Sequence, residues 1–192
     1  VTSRPAGGDA LSGRRPMADL ESLIREVEAE VVRIVRFCAA EVERQRADAD
    51  AVCWMVEAWL MARRRFERTP PLELATSLTP EIIADWGRRV EPVKNRQGFR
   101  DCEVRVGSQE CPPSQDVPEL MQRFVSAIAK DKGWPICPPR GHGVAEHAYH
   151  IFQMIHPFRD GNGRTAKIVF NWLRGSLNKP ILPPNFFNVA NP

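Results

Sequence analysis

No run of apolar residues in this sequence is long enough to cross a bilayer, and nothing near Val1 has the apolar stretch of a signal peptide, so a membrane is not expected as a partner. The five cysteines, Cys38, Cys53, Cys102, Cys111 and Cys137, include no C-x-x-C pair and are odd in number. That excludes a zinc ribbon and a disulfide framework, and it fits a reducing cytoplasm. A basic stripe is missing as well. The net charge of +3 is mild, and Lys and Arg are spread along helical patterns, so nucleic acid is not indicated. No internal repeat is visible. What is present is 192 residues with 43% apolar content, enough for one well-buried domain and too few for two comfortable ones.

Residues 1–16 are small, polar and basic, with three glycines, and read as a flexible leader. From Met17 to about Arg46, Leu20, Leu23, Ile24, Val27, Val31, Ile34 and Cys38 recur at helical spacing and predict a long amphipathic helix. Ala51 to Ala62 is apolar nearly all round, the pattern of a helix buried on most faces, and Thr69-Pro70-Pro71 breaks it. Thr79-Pro80-Glu81 predicts an N-cap and a short helix ending near Val90. Between Gly98 and Gly107, Phe99, Cys102, Val104 and Val106 alternate with charged residues and predict the one extended ribbon. Helical spacing resumes over Val117 to Lys130. After a Pro- and Gly-rich loop from Trp134 to Gly143, a further helix must stop at His156, because Pro157 disfavours the α conformation before it. Gly175 and the prolines beyond predict the end of the last helix.

The segment that carries chemistry runs His156-Pro157-Phe158-Arg159-Asp160-Gly161-Asn162-Gly163-Arg164-Thr165-Ala166-Lys167. A helix start reached through Gly-Asn-Gly offers unpaired amides to an anion, and the glycines let the backbone approach phosphate closely. Asp160 adds a hard oxygen suited to Mg2+, which binds through one or two carboxylates together with substrate phosphates. Arg164 and Lys167 add positive charge on one helical face. His156 titrates near neutrality and can take a proton from an attacking hydroxyl. The dinucleotide fingerprint is excluded, since a helix precedes the glycines and no acidic residue follows Asp160; the Walker pattern fails on glycine spacing.

This string resembles the Fic family signature H-x-F-x-D/E-G-N-G-R-x-x-R. The ribbon from Gly98 to Gly107, followed by Pro112-Pro113 and Val117-Pro118-Glu119-Leu120-Met121, resembles the family's flap region. The resemblance, which spans about Thr79 to Leu173, implies an all-α fold with a short β-hairpin flap. The expected division of the chain is a leader over 1–16, N-terminal helices over 17–68 as the candidate inhibitory part, and a core over 69–192 with flap 97–113 and motif loop 156–167. The resemblance also implies a protein adenylyltransferase that moves AMP from Mg-ATP to a Ser, Thr or Tyr hydroxyl of a target protein. His156 would be the base, Asp160 the Mg2+ ligand, Gly161, Asn162 and Gly163 the phosphate loop, Arg164 the β-phosphate contact, and Phe158 a core residue. Phe99, Arg100, Asp101, Cys102, Glu103, Val104, Arg105 and Val106 would dock the target. Gly163 favours AMP transfer, since the similar phosphate-transferring Doc-type toxins carry lysine there. Lys167 stands where the family usually has an arginine for the γ-phosphate, and keeps the charge while losing the planar fork. The alternatives are another donor (UTP, GTP or CDP-choline), phosphate transfer, or a nucleotide-binding interaction module. An antitoxin-like partner is a further expectation.

Glu57 is the only charge between Ala51 and Ala62, so burial of its helix would demand a cation, with Arg164 or Lys167 the expected source. Many Fic proteins carry an inhibitory helix of the form S/T-x-x-x-E-G/N. Cys53-Trp54-Met55-Val56-Glu57-Ala58 keeps only the glutamate, and Ser22-Leu23-Ile24-Arg25-Glu26-Val27 keeps the serine but lacks the final small residue or Asn. Glu57 is therefore the inhibitory candidate, the alternative being a carboxylate on a solvated strip or in a structural ion pair. His147 and His150 lack a third ligand at helical spacing and are assigned no metal.

Overall fold

A computed structural model describes residues 17–130 and 143–184. The expected leader, most of the loop before Gly143 and the last eight residues lie outside that range. Six helices account for most of it: α1 (Met17–Arg44), α2 (Asp50–Arg68), α3 (Pro80–Val90), α4 (Val117–Lys130), α5 (Val144–Ile155) and α6 (Asn162–Arg174). Each boundary has a local cause. Thr79 caps α3, its Oγ1 accepting from the Ile82 amide at 3.4 Å, with Pro80 in the first helical position. His156 ends α5 in the left-handed conformation at φ 50°, and Gly175 ends α6 at φ 64°.

α6 is the central helix. Its residues from Thr165 to Trp172 are all buried, and it packs against α5, α3 and α2. Trp172 meets Trp86 of α3 with ring centroids 5.4 Å apart, and its indole N–H donates to the Leu74 carbonyl at 3.0 Å. α2 also packs on α1 and α3, burying Met55, Ala58, Trp59 and Ala62. The apolar seam of α1 enters the core only in its second half, at Ile34, Cys38 and Val42, whereas Leu20, Ile24 and Val27 stay half exposed.

The motif loop is anchored by Phe158, fully buried among Phe99, Phe152 and Gly87. A Cβ on Gly87 would sit 2.2 Å from the Phe158 ring, so only glycine lets the ring in. Gly87→Ala should lower Tm by about 3–10 °C through overpacking, as thermal denaturation followed by circular dichroism would show.

The extended ribbon is shorter than the alternation predicts. Only β1 (Arg105–Val106) and β2 (Gln109–Glu110) pair, antiparallel, with Arg105 opposite Glu110 and Gly107 in the turn. Upstream, Phe99 packs on Phe158 and the Arg100 amide donates to the Pro157 carbonyl at 2.9 Å, so the chain is tied to the motif loop rather than to a second strand.

Candidate active site

His156, the loop from Pro157 to Gly161 and the start of α6 form the floor of the site, and the hairpin forms its edge. A cleft of about 180 Å3 is lined by Val106, Glu110 and Cys111 from the hairpin side, Gln153, Met154 and His156 from α5, and Gly163 from α6. The base candidate, the hairpin and the helix start therefore share one opening. Burial, the largest cause, holds the His156 pKa below its ordinary 6.5; the Gln153 carbonyl and Asp160 oppose this, and the Arg100 charge adds to it. The ring is therefore neutral at neutral pH, the form that accepts a proton.

The loop holds its shape through its own polar groups. Asn162 Oδ1 accepts from the Phe158 amide and its Nδ2 donates to the Phe158 carbonyl, both at 2.8 Å. Its side chain is thus committed to the loop, and what α6 offers an anion is its first backbone amides. Gly161 sits at φ 72°, where a Cβ would lie 2.9 Å from Val90, so both conformation and space require glycine. Asn95, buried after α3, donates to the Asp160 carbonyl at 2.8 Å and to the Gly87 carbonyl at 3.0 Å, docking the loop on α3.

Asp160 presents a partly exposed carboxylate whose Oδ2 lies 2.5 Å from Lys94 Nζ. Burial opposes its ionisation, but the Lys94 hydrogen bond, the Gly161 amide and the charges of Lys94 and Arg164 outweigh it and keep the carboxyl below its usual range. Among the described residues no three His, Cys, Asp or Glu side chains gather as a metal cage. A single ionised carboxylate already drawn to a cation, beside an anion-binding helix start, fits Mg2+ bound jointly with substrate phosphates. Exposed ion pairs are worth at most about 1 kcal/mol, so Lys94→Met should tighten Mn2+ binding to the ATP-loaded protein by up to about fivefold. Electron paramagnetic resonance of the free ion would read this, and weaker binding would mean that Lys94 does not compete for the oxygen.

Arg164 and Lys167 of α6 are engaged from within the protein. Arg164 is buried, donates to the Val90 carbonyl at 3.2 Å and lies 3.5 Å from Glu91 and 3.6 Å from Asp160. Lys167, also buried, has its Nζ 2.6 Å from Glu41 Oε2. Glu41 is fully buried near the end of α1, where it also pairs with Arg44. One turn on, the Gln45 amide covers Gly163, 3.1 Å from where a Cβ would be.

Glu57 does not meet Lys167 or Arg164. It is exposed on the solvated strip of α2 and pairs with Arg89 at 2.7 Å, so the expected source of its cation is corrected. A second correction concerns the docking residues. Arg100 is buried and Phe99 half-buried, and both face the motif loop; Asp101, Cys102, Glu103, Arg105 and Val106 are exposed, with Asp101 paired to Arg159. Glu41 and Lys94 went unread in the sequence. Glu41 has Phe37 in place of the motif's Ser or Thr and Val42 after it; its signal was an acid falling on the seam that runs through Ile34 and Cys38.

The Fic/DOC family description matches residues 72–173, more than half of the chain. A protein adenylyltransferase Fic of Culex quinquefasciatus is 36% identical over 84 residues, covering 44% of this chain and 16% of that protein. A protein adenylyltransferase Fic of Drosophila persimilis is 34% identical over 127 residues, 59% of this chain and 24% of its own length. The chain thus spans a quarter or less of these curated relatives. Among solved structures, Fic-1 from C. elegans is similar in fold, with TM-score 0.56 and 20% identity over 90% of this chain and 56% of that one. With its motif loop closed on Phe158 and its hairpin beside His156, the chain belongs to the Fic/DOC family.

Proposed function

We propose that this chain transfers AMP from ATP to a hydroxyl of a target protein and that Glu41 holds it in a restrained state. The observation that carries the transfer reading is the shared cleft, where His156, the hairpin and Gly163 face one opening. The nucleotide's phosphates lie against the first amides of α6, and a target segment lies along the exposed part of the hairpin. His156 takes the proton of the attacking hydroxyl as its oxygen bonds to the α-phosphorus. The bond to the bridging oxygen of the β-phosphate breaks, and pyrophosphate leaves. Mg2+, held by Asp160 and the phosphates, would neutralise charge on the leaving group. The loop amides and Arg164 hold the phosphates, since such transfers depend on positioning and charge stabilisation more than on covalent help.

Restraint follows from Lys167. Its ammonium lies about one turn along α6 from Arg164, and Glu41 holds it. A γ-phosphate seeking that cation competes with a buried carboxylate already in place. Residues 17–68 then act as the regulatory part, through α1, and 69–192 as the catalytic part.

Intact-mass spectrometry after incubation with Mg-ATP tests the reading. A gain of one AMP that requires His156 is the expected result. A gain of one phosphate reassigns the chain to phosphate transfer, and a gain only with UTP, GTP or CDP-choline changes the donor. No gain in any variant leaves a nucleotide-binding interaction module.

A further inference from the structure

We propose that Arg100 is a positioning residue that locks the hairpin to the backbone of His156, so that target docking and base orientation are set by one side chain. The inference rests on the reading of His156 as the base. The Arg100 side chain is fully buried and its guanidinium reaches four carbonyls. Nε donates to His156 at 2.8 Å, Nη1 to Cys102 at 3.0 Å, and Nη2 to Pro112 at 2.5 Å and Ile155 at 3.4 Å. Cys102 lies on the arm leading into β1 and Pro112 on the arm leaving β2. Ile155 and His156 form the C-terminal end of α5. One group therefore ties both arms of the hairpin to the end of the helix that carries the base.

A buried charge needs a reason. Among the described residues the acid that pairs with Arg100 is Glu103, 3.8 Å away and mostly exposed, so the guanidinium is balanced chiefly by carbonyl dipoles. Burying a cation on such terms is unfavourable unless its hydrogen bonds are well made, and an apolar side chain would fill the space at less expense. Two features of the site use the charge and the fork. The carbonyls at a helix C-terminus lack intrahelical partners and favour a cation. His156 also holds φ 50°, a conformation that non-glycine residues keep only when their surroundings enforce it. Arg100 supplies that enforcement at the carbonyl of His156, while the His156 amide donates to Phe152 at 3.0 Å. Lysine carries the same charge as a point with three donors and cannot serve four carbonyls at once.

Arg100→Lys and Arg100→Gln, made both in the wild-type chain and in a Glu41→Gly background, separate charge from geometry. In Arg100→Lys, ATP affinity by calorimetry should stay within about twofold, because the α6 amides do not depend on Arg100. The rate of self-modification at saturating ATP should fall on the order of 100-fold, the loss expected for a reacting group misplaced by about 1 Å. Amide hydrogen exchange over the hairpin from Arg105 to Glu110 should speed up in both variants. The NMR titration midpoint of the His156 ring should hold in Arg100→Lys and rise in Arg100→Gln. A wild-type rate in Arg100→Lys, or ATP affinity falling in step with the rate, overturns the proposal, the latter because it marks general disruption. If the parent chain transfers no AMP, the functional reading fails on its own. The exchange and titration data then decide Arg100, and unchanged values in both variants overturn it.

Discussion

Replacing His156 with alanine should lower AMP incorporation by about 10²–10⁴-fold, the usual contribution of a positioned proton acceptor, and ATP affinity should stay near wild type. On the proposed reading the α6 amides and Arg164 would hold the phosphates without help from the imidazole, so the effect would belong to the chemical step. Alanine at φ 50° adds backbone strain, whereas asparagine tolerates this conformation and makes the cleaner variant. The pH profile supplies an independent mark. Burial holds the His156 pKa below 6.5, and the base acts when neutral, so the rate should rise with pH through a midpoint below 6.5 and then level off. Initial rates from intact-mass time courses between about pH 5 and about pH 8 would show this limb in the wild-type chain and its disappearance in His156→Asn. A retained limb, or a rate within a few-fold of wild type, would remove His156 from the role.

The parts of this molecule that were legible in the sequence are those governed by local rules. Pro80, Pro157 and Gly175 fix helix ends through backbone geometry alone, and the boundaries of α3, α5 and α6 follow them. The motif loop is local too: Phe158, Asn162 and Gly161 lie within a few residues of the bonds and contacts that close it. What was not legible depends on where distant segments meet. Alternation over Phe99 to Val106 carries the right period for a ribbon, but tertiary contacts at Phe158 and Pro157 claim its first half. Lys94 reaches Asp160 across 66 residues and Glu41 reaches Lys167 from another helix, and no spacing rule reports such pairs. Glu57 and Glu41 both stand on helices with an apolar face turned to the core. They differ in facing: Glu57 lies on the solvated strip with Cys53, and Glu41 on the seam with Ile34 and Cys38. Phase within the helix, rather than the count of charges along it, separates the two.

Glu41→Gly should raise AMP incorporation on the order of 10- to 100-fold. A charge-assisted hydrogen bond is worth about 1.5–3 kcal/mol, and that much stabilisation of the reacting complex gives a rate change of this size. The wild-type chain forfeits it because Lys167 faces a fully buried carboxylate at 2.6 Å, and Arg44 closes on the same acid. The ion pair also predicts a compensating loss. With Glu41 gone, Lys167 is left buried without its carboxylate, and breaking a buried pair by removing one partner costs about 3–5 kcal/mol. The nucleotide-free variant should therefore melt lower than wild type, and saturating Mg-ATP should restore more of its Tm than it adds to the wild-type chain, because phosphate replaces the missing acid. Glu41→Gln, which keeps the volume and removes the charge, should fall between the two in both rate and melting. Glu57→Gly should match wild type in rate, since its carboxylate is exposed and bound to Arg89 away from the motif, and should lose only about 0.5–1 kcal/mol of stability, the cost of a glycine inside a helix. Activation by Glu57→Gly, or a Glu41→Gly variant that melts lower with no gain in rate and no added response to ATP, would reduce the Glu41–Lys167 pair to a structural contact.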